Sequence, residues 1–180
     1  MLRRYDVKGG VGKVIEYYGD GLKNLSAMDR HVIANMGAEL GATTTVFPSD
    51  EETKRFLKSQ DRESDWVELL ADEGCEYEYH DEIILDDLIP LIALPTSPGN
   101  VVPVSEVAGK SISQVVIGSS ANPGLRDFWI AGAIVEGKSV NTDVSFDINP
   151  TSRQMIQNMI ENRAFANLIK AGARFHQSGC

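Results

Sequence analysis

The chain has 180 residues, a formal net charge of −9, a hydrophobic fraction of 42% and a charged fraction of 24%, the composition of an ordinary globular protein with one large or two small cores. Its acidity argues against a nucleic-acid backbone or an anionic membrane surface as partner, and still leaves room for a small anion at a locally positive site. Two cysteines, Cys75 and Cys180, make no disulfide framework, the first residues lack the apolar run of a signal peptide, and no stretch is long enough to span a membrane; the expectation is a cytoplasmic protein.

Lys8-Gly9-Gly10-Val11-Gly12 has the glycines of a phosphate loop, but it lacks the spacing of one and leads into a strand rather than a helix. Residues 13–18 alternate and read as a strand, closed by the turn Gly19-Asp20-Gly21. Ser26 with Asp29 three residues on is a capping box, and Gly41 is a stop, so residues 26–41 predict a helix of about four turns. A β-branched strand over 43–47 follows. Ser49 with Glu52 predicts a second helix through about Lys58, and Trp66, Leu69 and Leu70 mark the apolar side of a third over 64–71. The acidic stretch from Asp72 to Glu82 is most simply a solvated face. Ile83, Ile84 and Leu85 form a short apolar run, and Leu94-Pro95-Thr96-Ser97-Pro98-Gly99-Asn100 reads as a linker, which places a domain boundary between 1–95 and 96–180.

The second half is more regular. A strand over 114–117 runs into Gly118-Ser119-Ser120, and a helix over 125–136 is stopped by Gly137. A strand over 144–148 runs into Asn149-Pro150-Thr151-Ser152, followed by helices marked by Met155, Ile156, Met159 and Ile160 and by Phe165, Leu168 and Ile169; residues 173–175 form a third strand. Alternating strands and helices predict a parallel, helix-covered sheet, whose ligands gather beyond the carboxyl ends of the strands. Three polar loops, 118–122, 149–152 and 177–180, then open on one edge, either as a site or only as turns of the chain. On a wheel of 100° per residue Asn35 and Glu39 share a face with Met28 and Val32. The pair either meets a specific partner or sits in water at the helix edge. The histidines form no triad with a local nucleophile, and His31 is expected to face solvent.

The run Asn35-Met36-Gly37-Ala38-Glu39-Leu40-Gly41-Ala42-Thr43-Thr44 with Val46-Phe47-Pro48 resembles the corresponding segment of the aconitases. Lys8-Gly9-Gly10, Glu16-Tyr17, Gly74-Cys75, Gly118-Ser119-Ser120-Ala121-Asn122, Pro150-Thr151-Ser152 and Gly179-Cys180 continue the resemblance in the order of that family, over nearly the whole chain. It matches an internal stretch of an aconitase, without the N-terminal region and the C-terminal swivelling domain.

The resemblance implies a three-layer α/β/α fold like the aconitase iron–sulphur domain, with helices packed on mostly parallel sheets. It implies catalytic roles for Asn35 and Glu39 and substrate binding by Ser119, Asn122 and Ser152, with a citrate-like hydroxy acid as substrate and the remaining domains of a parent protein as partners. Its cofactor is a 4Fe-4S cluster held by three thiolates, the fourth iron acting as Lewis acid on the departing hydroxyl. Here Ser120 stands at the first ligand position and Ala121 replaces a threonine, while Cys180 aligns with the first cysteine of the family's later pair. The expectation is therefore a fragment of a divergent hydro-lyase, inactive in isolation and without a cluster. The alternative is a non-catalytic carboxylate-binding or regulatory protein on the same scaffold.

Overall fold

A computed structural model describes residues 1–179, and the chain divides into two compact units, Met1–Ala108 and Gly109–Cys180.

The first unit opens with a single helical turn, α1 (Leu2–Tyr5), and continues to strand β1 (Val14–Glu16), helix α2 (Ala27–Met36) and strand β2 (Thr44–Val46). β1 and β2 pair in parallel, with Val14 opposite Thr44 and Glu16 opposite Val46. The capping box forms as the sequence predicts: Asp29 accepts from the Ser26 N–H at 2.9 Å, and Ser26 Oγ accepts from the Asp29 N–H at 3.2 Å. The helix then changes character. After Met36 the chain tightens into a 3₁₀ turn, Gly37–Leu40, and stops at Gly41 with φ 75°. Gly37 is required there, because a Cβ would lie 2.1 Å from Thr45 Oγ1 of β2.

Helix α3 (Glu51–Ser59) forms where expected, but its cap is Asp50, whose carboxylate accepts from the Glu52 N–H at 3.0 Å and the Thr53 N–H at 3.4 Å. Ser49 instead donates to the Val67 carbonyl at 2.6 Å. The helix expected over 64–71 is absent: Glu63–Asp65 makes one 3₁₀ turn, and the chain then runs extended, with Leu69 bridging Ser49. The apolar residues there serve other contacts, since Lys54 Nζ sits 4.6 Å over the Trp66 ring. The apolar run at 83–85 leads into a 3₁₀ turn, Leu85–Asp87. Strands β3 (Leu91–Ala93) and β4 (Val101–Pro103) pair antiparallel, so residues 94–100, read from sequence as a linker, close a hairpin within the first unit.

The second unit holds β5 (Gln114–Gly118), α4 (Leu125–Val135), β6 (Ser145–Asn149), α5 (Arg153–Glu161), α6 (Ala164–Lys170) and β7 (Arg174–Phe175). The sheet is parallel in the order β5-β6-β7, so both crossovers are helical, as parallel neighbours require. Phe146 and Ile148 of β6 meet Phe128 of α4, Met159 of α5 and Leu168 of α6 in one buried cluster, with Val115 and Ile117 of β5 packed against it. Period-two alternation turns Gln114, Val116, Ser145, Asp147, Asn149 and Arg174 to the opposite face. α4 and α6 approach closely because Gly132 has no Cβ, which would lie 2.9 Å from Ala164 Cα.

Candidate functional site

The parallel pairing sends the chain out of β5, β6 and β7 at the same edge, and hydrogen bonds tie the three exits together. The Ser119 N–H donates to the Asn149 carbonyl at 3.3 Å, Thr151 Oγ1 donates to the Ser119 carbonyl at 3.2 Å, and Asn149 Nδ2 donates to the Gln177 carbonyl at 2.5 Å. Gly118 permits the close approach, since a Cβ there would lie 2.5 Å from Asn149 Cβ. Ser119 is half-buried with φ 128°, while Ser120 and Asn122 are exposed further along the same loop. Ser152 caps α5, its Oγ accepting from the Met155 N–H at 3.1 Å. Ser178 Oγ, on the loop after β7, is buried without a partner among the described residues. The convergence of polar loops expected from sequence is thus present. Cys180 lies outside the described residues.

Asn35 and Glu39 are both exposed and lie in the first unit, on α2 and on the 3₁₀ turn behind it. A wheel drawn at 100° per residue does not continue across that turn, which advances about 120° per residue.

The sequence reading missed the group that dominates the open face of the second unit's sheet. Asp147, only 4% exposed at its side chain, accepts from Arg174 Nε at 2.8 Å and Nη2 at 3.0 Å, Gln114 Nε2 at 3.0 Å and Ser145 Oγ at 2.9 Å; His176 Nε2 lies 2.8 Å from it. Hydrogen bonds from Arg174 first, then Gln114 and His176, hold its carboxyl well below the usual carboxylate range. Asp147, Arg174, Gln114 and His176, with Val116 and Asn149, line an open hollow of about 360 Å³. The available signal was Ser145-x-Asp147-x-Asn149, a polar row in an otherwise apolar strand, facing Arg174-x-His176.

The first unit has a buried ion pair of its own. Arg30, 4% exposed, reaches both oxygens of Asp50 and also donates to the carbonyls of Leu22 at 2.9 Å and Leu25 at 3.2 Å. A hollow of about 270 Å³ lies nearby, lined by Glu16, Tyr17, Lys23, Asp50 and Leu70 among others. Tyr17 stacks on Phe47 at 4.7 Å, and burial pushes its phenol above the ordinary value.

A three-thiolate iron–sulphur cluster does not fit the described donors. Ser120 offers a hydroxyl, a poor iron ligand unless deprotonated. The thiol among the described residues, Cys75, lies in the first unit, exposed and hydrogen-bonded to Tyr77 Oη at 3.2 Å. Among the described residues no three of His, Cys, Asp and Glu are grouped so as to hold a metal ion. The edge around Ser120 presents hydroxyls and amides instead.

A helix-packed parallel sheet with polar loops gathered at its carboxyl edge defines an α/β protein of the class whose ligands usually gather at that edge. The model of the family described as Aconitase family (aconitate hydratase) matches residues 1–111, and the chain belongs to that family. It is similar to the 3-isopropylmalate dehydratase large subunit 2 of Archaeoglobus fulgidus, 34% identical over 97% of this chain and 42% of the relative. It is also similar to large subunit 2 of Rubrobacter xylanophilus, 40% identical over 93% and 39%, and to large subunit 1 of Thermotoga maritima, 37% identical over 96% and 42%. The chain therefore spans about two-fifths of the length of the curated relatives it matches. Among the described residues no helix is long and apolar enough to cross a membrane.

Proposed function

We propose that this chain is part of an aconitase-type hydro-lyase that removes and adds water at a citrate- or malate-like hydroxy acid, and that the chain alone does not turn over. The observation that carries this reading is family membership, together with relatives named as dehydratase large subunits that match over nearly the whole chain. In this reading Ser119, Asn122 and Ser152 at the sheet edge donate to the substrate's carboxylates, and Asn35 and Glu39 belong to the catalytic network. A small subunit is the natural partner of a chain similar to large subunits, beside the remaining domains of the parent. Exposed Ile84, Leu88 and Ile89 support the need for further protein around the first unit, because a free-standing unit of this size rarely leaves so many large apolar side chains in water. The 4Fe-4S cluster of the family would supply the Lewis acid when bound, and the oxygen donors around Ser120 speak against this chain completing it.

One observation favours a second reading. Ser120, where the family resemblance puts a ligating cysteine, suits a carboxylate-binding protein that has kept the scaffold and lost the chemistry.

Calorimetry with citrate, isocitrate and 3-isopropylmalate, beside an ultraviolet assay for the unsaturated acid, separates the two. Binding to the chain, with turnover once partner domains are supplied, is the expected result; binding without turnover in the assembled protein moves the assignment to the second reading. Iron and sulphide analysis after anaerobic reconstitution tests the cluster, and about four tightly held irons per chain overturn the view that this chain lacks one.

A further inference from the structure

Among the described residues Asp147 and Arg30 are the buried charged side chains, and only Asp147 sits in the middle of a sheet. A carboxylate in that position costs free energy unless its oxygens are satisfied. Here Gln114, Ser145 and Arg174 from three strands, and His176 just after the third, are all turned onto it. Because Asp147, Arg174, Gln114 and His176 are spent on one another, the hollow they line is a poor ligand cradle.

Its placement gives it another use. β5 and β6 are joined through five residue pairs, whereas β7 is two residues long and meets β6 only at Asp147–Arg174 and Ile148–Phe175. Beyond Phe175 the backbone has, among the described residues, one further bond to the strand, from the His176 N–H to the Ile148 carbonyl at 2.9 Å. Side chains then take over: Asp147 holds His176, and Asn149 holds Gln177, on the path that leads residues 177–179 to the edge formed by Ser119 and Thr151.

We propose that Asp147 is a positioning residue, a brace that substitutes for missing strand pairing and fixes residues 176–179 at the acid-binding edge. The placement at that edge rests on the reading given under Proposed function. The carboxylate acts through His176 and Arg174 and touches no substrate.

The test is residue-resolved amide hydrogen exchange on the 180-residue chain and its D147N, H176F and H176Q variants, with parallel titrations of citrate, isocitrate and 3-isopropylmalate. His176 is more than half exposed, so its substitutions leave the core intact and decide the matter even where D147N fails to fold. In D147N and H176F the amides of residues 176–179 are expected to exchange about tenfold faster, while those of Val115, Ile117, Phe146 and Ile148 keep their protection. H176Q, which retains a side-chain N–H for Asp147, is expected to restore the slow rate. Unchanged exchange at 176–179, or an equal loss of protection through β5, β6 and α4 in H176F, overturns the brace. Wild-type chain that takes up no citrate, isocitrate or 3-isopropylmalate overturns the reading of the edge instead, whatever the exchange rates show.

Discussion

Arg30 and Asp50, twenty residues apart, meet fork to fork: Nη1 lies 2.8 Å from Oδ1 and Nη2 lies 2.9 Å from Oδ2, with the guanidinium almost wholly buried. The same guanidinium satisfies the Leu22 and Leu25 carbonyls, so a single side chain locks the turn before α2 to the turn before α3. Arg30→Met would take the guanidinium away from those carbonyls and leave Asp50, 31% exposed, with only the Glu52 and Thr53 N–H groups, and is expected to cost the first unit about 1–3 kcal/mol. Urea unfolding followed by Trp66 fluorescence measures it. A loss confined to the Trp129 signal of the second unit would show that the lock is dispensable.

The same pair sets an acid dependence. The Arg30 guanidinium holds the Asp50 carboxyl below its ordinary value, so its contribution is fully present above the unfolded carboxylate value of about 4 and is lost as pH falls through the lower, folded one. Stability of the first unit, measured from pH 7 to pH 2, should therefore fall in the acid range, and Asp50→Asn should flatten that part of the profile while lowering the plateau.

At the sheet edge, Gly118→Ala forces a Cβ to within 2.5 Å of Asn149 Cβ and 2.6 Å of its carbonyl oxygen. The strands must part or the loop must shift, at a cost of about 1–3 kcal/mol. The urea midpoint reported by Trp129 should drop, and acid binding at the edge should weaken by more than the stability loss explains.

Glu39 is exposed on its 3₁₀ turn, so Glu39→Gln should leave stability within about 0.5 kcal/mol. In the active protein proposed above it should reduce turnover by about a hundredfold or more, the usual scale for a group that handles a proton. Equal kcat for the two proteins would return Glu39 to the status of a carboxylate in water.

What could be read from the chain and what could not divides along contact range. In the second unit every strand and helix fell within a residue or two of its expected place, because Gly137 and Gly172 stop helices locally and period-two or period-3.6 apolar patterns decide the faces. The same reasoning failed over 64–71, where Trp66 serves Lys54 and Leu69 pairs with Ser49 rather than lining a helix. It failed again at residues 94–100, where proline and glycine mark a hairpin as readily as a linker.

The sequence by itself determined the start of α2, the helices and strand faces of the second unit, the meeting of its polar loops at one sheet edge and, through the Asn35 to Thr44 run, the family. Only the tertiary structure decided that Asp147, Arg174, His176 and Gln114 form one network, that Arg30 forks onto Asp50, and that α2 tightens before Glu39. Caps and periodicity act over one or two turns and leave a local trace. An ion pair closed across 20 to 30 residues leaves none, because its partners become neighbours only after the backbone between them has folded.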